Sequence, residues 1–211
     1  MKINVEIIKK ALINDSMKIE DLNEKELVQK MMIRRRLSRS SKILINLANT
    51  CDFTTGTMIY GSALGEVNDT VSILNAINSG QAVSPTTFQN SVYNTAASYH
   101  SIVHKNTSEI LTLSCGDNTS YNVMQQAALT LLTQDSVFVC VVEAVNFEGV
   151  DDLNKCKNDL EYGIAFTLKK TDKTPNVEVQ NTIQKGVPAS LNWMKNLYDM
   201  CNENSIIEVE L

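Results

Sequence analysis

Histidine is scarce in this 211-residue chain: there are only His100 and His104, and none follows. The two stand four apart in a stretch that reads as helical, so their rings can share a face and meet a metal ion. No third or fourth ligand accompanies them, and structural histidines are the expectation. The five cysteines (Cys51, Cys115, Cys140, Cys156, Cys201) are odd in number and widely spaced, with no CxxC pair. That argues against a disulfide framework and against a zinc site. No apolar run approaches the roughly 20 residues of a membrane span, and Met1–Val5 lacks the apolar stretch of a secretory signal. The cytoplasm is therefore the expected location. A basic excess is also missing. A net charge of −5 and a pI of about 5.1 argue against nucleic acid as a main partner. The one basic run, Arg34-Arg35-Arg36 followed by Arg39, reads as a solvated face or a set of carboxylate partners ahead of a phosphate site. Asp151, Asp152 and Asn154 lack EF-hand ligand spacing and read as a solvated loop. Neither a metal nor a cofactor is expected.

What is present is enough chain for one domain, 1–211, with a substantial core. Ile3, Val5 and Ile7 alternate with polar residues and predict a strand. Residues 20–31 and 38–49 predict helices, the second carrying Ile43, Leu44 and Leu47 on one side. Residues 57–60 predict a buried strand ended by Gly61. A helix over 64–78 follows, closed by Ser79-Gly80. Ser84-Pro85 is an N-cap with proline at the first helical position. Asn94–Val103 predicts a helix with small residues at Ala96 and Ala97. A strand over 109–114, a turn at Gly116 and a helix over 118–133 come next. SVFVCVVEAV (136–145) is the strongest strand pattern, apolar enough to be covered on both faces. Residues 146–158 read as a loop, 162–168 as a strand, 188–201 as an amphipathic helix and 206–211 as a last strand. Trp193, Met194 and Tyr198 on that helix read as core or subunit-facing. The alternation predicts an α/β layered domain with a mostly parallel sheet covered by helices.

Three segments carry a resemblance: RRRLSRSSKILINLA (34–48), TMIYGSALGEVNDTVSILNAINSGQAVSPTTF (57–88) and SPTTFQNSVYNTAASYHSIVHKNTSEILTLSCGDNTSYNVMQQ (84–126). Their ordered motifs are RRRLSR, G-x-x-x-G-E, Ser-Pro, Asn94 and Gly116-Asp117. Together they resemble short β-ketoacyl-synthase-like proteins of the N-terminal-domain type, most strongly over 34–145. The fold this implies is one thiolase-like half. A full ketosynthase is about twice as long. Counting forward from Asn94, or backward from the helix at Ala127, puts the family's nucleophilic cysteine at Asp117.

The resemblance implies a ketosynthase homologue without its acyl-accepting thiol. Ketosynthase chemistry needs a thiolate, two imidazoles placed after it and an oxyanion hole. Here both histidines precede the nucleophile position. The implied role is that of a chain length factor beside type II polyketide, aryl-polyene or fatty-acid synthases. Such a subunit would pair with a full-length ketosynthase, with a homodimer as the fallback, and meet an acyl carrier protein only indirectly. Phe88, Gln89, Val92 and Tyr93 are the implied tunnel-lining residues, and Thr112, Leu113 and Ser114 the implied interface. Asp117 then holds the elbow by accepting N–H bonds at a helix start. The alternative is a small thiol-dependent acyltransferase or hydrolase using Cys115, which needs a two-residue slip of the strand.

Overall fold

In the computed structural model, residues 1–14, 22–146, 159–180 and 182–211 are described. Strand β1 (Lys2–Asn14) extends the alternation at its start through a full 13 residues. The helix expected over 20–31 is instead two single turns, α1 (Glu24–Leu27) and α2 (Met31–Arg34). Between them the Arg34 guanidinium donates to the Val28 carbonyl at 2.8 Å, so the break is held by a side chain that a continuous helix would direct elsewhere. Ser38 starts α3 (Arg39–Thr50), its Oγ accepting from the Ser41 N–H at 3.2 Å.

Strand β2 (Met58–Gly61) leads to α4 (Val67–Asn78), which starts later than expected and lies on the surface with no fully buried residue. Helix α5 (Pro85–Asn90) begins at the expected Ser84-Pro85. Helix α6 (Thr95–His104) packs on α3 through buried Ala96 and Ala97 and ends at Lys105, whose φ is +55°. Then come β3 (Ile110–Leu113), α7 (Thr119–Thr130), β4 (Ser136–Asn146) and β5 (Asp159–Lys170). A short 3₁₀ turn (Ala189–Leu191) enters α8 (Asn192–Met200), and β6 (Ile206–Glu210) is the last strand.

The six strands form one sheet in the order β3-β2-β4-β5-β1-β6. The α/β class is as expected, but the sheet is mixed. Strand β2 runs parallel to β3 and β4, whereas the pairs β4/β5, β5/β1 and β1/β6 are antiparallel. Parallel pairing needs a crossover. Helices α4–α6 supply one between β2 and β3, and α7 supplies one between β3 and β4.

Alternate side chains divide the core between the two faces. Ile59, Val139 and Val141 face α7 and α8, while Met58, Tyr60, Phe138 and Cys140 face α3 and α6. Gly61 lets α7 approach β2: a Cβ there would lie 2.7 Å from Val123 Cγ2 and 2.9 Å from Thr119 Cγ2. Among the described residues no helix is long and apolar enough to cross a membrane.

Candidate functional site

Strand β3 runs into a sharp elbow. Ser114 and Cys115 leave the sheet, Gly116–Asn118 form one 3₁₀ turn, and α7 begins. Gly116 has φ +56° with nothing near its missing Cβ, so backbone conformation alone selects glycine. Thr119 locks the bend. Its Oγ1 accepts from the Cys115 N–H at 3.0 Å and donates to the Gly116 carbonyl at 2.7 Å.

Asp117 was expected to hold this elbow by accepting backbone N–H groups. Its carboxylate is exposed and receives no hydrogen bond from the described residues. The buried Thr119 hydroxyl does that work from two residues further on, because the 3₁₀ turn points residue 117 outward. Cys115 is exposed, whereas Cys51, Cys140 and Cys201 are buried.

Beside the elbow, the loop Ser62–Gly65 wraps a carboxylate that sequence reasoning did not single out. Glu143 on β4 is fully buried. It accepts from Ser62 Oγ (2.9 Å), Ala63 N (2.6 Å), Leu64 N (3.2 Å) and Ser190 Oγ (2.9 Å). Burial pushes its carboxyl above the usual range, and these donors pull it only partly back. The signal was available: Glu143 is the one charged residue in the run SVFVCVVEAV. The Ala63 carbonyl, on the same loop, accepts from Ser114 Oγ and Tyr93 OH, each at 3.4 Å. Tyr93 lies across Gly65, whose φ is +60°; a Cβ there would meet its ring at 2.9 Å.

The segments that carried the resemblance meet in space. Ser38 Oγ donates to Glu66 Oε1 at 2.6 Å, joining RRRLSR to the Gly-Glu turn. Asn90 Nδ2 donates to the Arg36 carbonyl at 3.0 Å, and Asn90 Oδ1 accepts from Tyr99 OH at 3.1 Å. Burial raises the Glu66 carboxyl to about 7, against the pull of Ser38.

The implied tunnel residues separate. Tyr93 sits over the Ser62–Gly65 loop, Phe88 and Val92 are exposed, and Gln89 faces a cavity beside α2 and α6. Thr112 and Leu113 lie on β3, which is an edge strand, and Ser114 follows it out of the sheet. The histidines are in the layer opposite α7. His100 is buried against Phe53 with ring centroids 5.4 Å apart, and His104 is 4.5 Å from it. Burial, and then the neighbouring His104, lower His100 to about 4. No group of three or more candidate metal ligands occurs among the described residues. Asp151, Asp152, Asn154 and Cys156 lie outside them.

On its other side the elbow borders a cavity of about 610 Å³ between Asp117, Tyr121, Trp193 and residues 183–187. Residues 182–184 are fastened to α8. Asn192 and Asn196 both donate to the Thr182 carbonyl at 2.7 Å, and the Gln184 N–H donates to Asn192 Oδ1 at 2.9 Å. Trp193 touches Tyr121 edge-on, while Met194 is core.

A sheet between two helical layers, with a strand running through a glycine elbow into a buried helix, defines a thiolase-like α/β protein. The family described as "Beta-ketoacyl synthase, N-terminal domain" matches residues 14–205, and the chain belongs to it. Among solved structures, it is similar to a ketosynthase (ApeO) in complex with its chain length factor (ApeC) from Xenorhabdus doucetiae. That match has 23% identity and a TM-score of 0.59, covering 67% of this chain and 61% of that one. A β-ketoacyl synthase from Burkholderia phymatum STM815 matches at 13% identity and TM-score 0.59, covering 82% of this chain and 60% of that one. The ishigamide ketosynthase/chain length factor matches at 10% identity and TM-score 0.59, covering 81% and 63%. The chain thus spans about three fifths of each of these structures, and the likeness is one of fold. None of the curated proteins compared matches it.

Proposed function

We propose that this chain is a non-catalytic ketosynthase-like subunit. It pairs with a full-length ketosynthase and shapes that partner's acyl tunnel, as a chain length factor does, in polyketide, aryl-polyene or fatty-acid-type biosynthesis. The observation that carries the proposal is the edge position of β3, the strand that leads to the elbow. The strand leading to the elbow pairs with β2 alone among the described residues. Tyr93 OH and Ser114 Oγ, the latter just after β3, both reach the Ala63 carbonyl, and Phe88 (68% exposed), Val92, Tyr93, Leu74 and Ile77 face water elsewhere on the chain. An unpaired edge strand and exposed apolar side chains are both surfaces for another chain. The elbow supports the same reading, with Asp117 where the thiol is expected.

Phe88, Gln89, Val92 and Tyr93 are assigned to the tunnel end. Their bulk would stop elongation, because forcing extra methylenes into a filled space costs about 1–3 kcal/mol. The test is co-expression with a full-length ketosynthase from the same organism. The pair should elute as one complex, and Phe88→Ala or Tyr93→Ala should lengthen its products. Separate elution of the two chains, or unchanged products from both variants in an intact complex, rejects the role.

The thiol reading keeps one observation in its favour, the exposure of Cys115 at the elbow. Incubation with an acyl thioester followed by intact-mass measurement separates the two readings. No acyl adduct is expected, and an adduct lost in Cys115→Ala would establish the thiol enzyme instead.

A further inference from the structure

We infer that the cavity walled by α2, α5 and α6 binds a medium-chain alkyl carboxylate, with its head on Arg36 and Lys30. This site is separate from the elbow, and Gln89, assigned above to the tunnel end, lines its α5 side. The cavity holds about 530 Å³, within the usual range for small-molecule sites, and no acidic residue lines it. Its walls are Met31, Met32, Ile33 and Ile102 over a floor formed by Tyr99. Three of these wall residues, Met31, Met32 and Ile102, are at least half exposed, so a bound alkyl chain removes apolar surface from water at both partners. Methionine side chains adapt to such a chain without a fixed shape.

The charges nearby divide into two groups. Arg34 donates to the Val28 carbonyl. Arg39 holds Glu161 through two bonds, at 2.7 and 2.9 Å, and Lys42 pairs with Glu24 at 2.6 Å. Lys30 and Arg36 have no ion pair among the described residues, and both line this cavity.

The rim is also fixed. Asn90 holds the Arg36 carbonyl and is itself held by Tyr99 OH, so the floor residue and the guanidinium's backbone belong to one chain of hydrogen bonds. The Arg34–Val28 bond sets the break between α1 and α2 that puts Lys30 immediately before α2. Two unpaired cations on a preformed apolar cavity select an anionic head joined to an apolar tail. Either part alone leaves half of the surface unmatched.

The test uses the full chain labelled with ¹³C at the methionine methyls, titrated with sodium decanoate below its micellar concentration. Met31 and Met32 should shift saturably while the buried Met58, Met124 and Met194 stay in place. Decan-1-ol and decyltrimethylammonium should bind at least tenfold more weakly. Arg36→Glu and Lys30→Glu should each weaken decanoate at least tenfold, and Arg36→Gln less so. Both side chains replaced are on the surface, and an unchanged amide spectrum checks the fold. Absence of shifts at Met31 and Met32, equal binding of the alcohol, shifts spreading to the buried methionines, or unchanged affinity in Arg36→Glu would each overturn the assignment.

Discussion

At the scale of single residues, buried carboxylates organise the region around the elbow. Glu143 collects two backbone and two hydroxyl donors, so losing it orphans the loop that Tyr93 and Ser114 reach. Leaving such donors unpaired costs about 1–3 kcal/mol each when they stay dry. Glu143→Gln turns an amide NH₂ toward two of these donors and should destabilise by about 2–4 kcal/mol. Urea unfolding measures the loss, and faster amide exchange at Ala63 and Leu64 locates it. Unchanged exchange there would refute the assignment.

Glu66 and His100 act oppositely on pH. Glu66, raised from 4.5 to about 7 chiefly by burial, keeps a proton in the fold that the unfolded chain has lost. Its contribution to stability therefore declines as pH rises through that window. His100, lowered from 6.5 to about 4 chiefly by burial, stays neutral in the fold while the unfolded chain takes up a proton. Its contribution declines as pH falls from 6.5 toward 4. Each shift corresponds to on the order of 3 kcal/mol at its limit. Asp69 and Glu143 shift in the sense of Glu66, and His104 in that of His100, so the comparison lies between variants. Urea midpoints at pH 4.5, 5.5 and 6.5 should fall more steeply with acid in Glu66→Gln than in the wild type. In His100→Leu they should fall less steeply with acid than in the wild type. Parallel curves for all three proteins would contradict both assignments.

At the scale of elements, packing distances decide what can be changed. Gly163 on β5 sits under α3, where an added Cβ would lie 2.7 Å from both Ile43 Cγ2 and Leu47 Cδ1. Neither branched side chain has room to move in a fully buried layer, so Gly163→Ala should cost about 1–3 kcal/mol by overpacking. Thermal unfolding measures this, and a neutral result would mean that α3 can slide off the sheet. Elements with strong local signals were legible in the sequence. The apolar run of β4, the Ser84-Pro85 start of α5 and the face of α3 all fell where periodicity and capping put them. Strand direction was not legible, because β4 and β5 carry patterns that parallel and antiparallel neighbours satisfy equally. The break between α1 and α2 was hidden because a side chain six residues away, Arg34, maintains it. The elbow could be placed by counting along the chain. Its internal hydrogen bonds could not, since the 3₁₀ turn passes the locking role from Asp117 to Thr119.

At the scale of the whole molecule, the two sheet edges differ. Beside β6, the backbone N–H groups of Asn176 and Val177 both reach the Ile206 carbonyl, and Asn176 Oδ1 accepts from the Ile206 N–H at 2.8 Å. The β3 edge has no such cover among the described residues. Natural sheets protect an edge with charge, proline or a covering segment, and β3 (Ile-Leu-Thr-Leu) has neither charge nor proline. The same four residues that leave this edge open in isolation make it able to continue a sheet across to a partner. A lysine at position 113 would guard the edge, since Leu113 is only half-buried at the border of the core. Leu113→Lys should therefore shift the isolated chain from self-associated species to monomer in sedimentation velocity, and abolish co-elution with the ketosynthase. A lysine on the exposed outer side of α7, at Leu129, should do neither. If Leu113→Lys pairs as well as the unaltered chain, the partner docks elsewhere and β3 is an edge for some other reason.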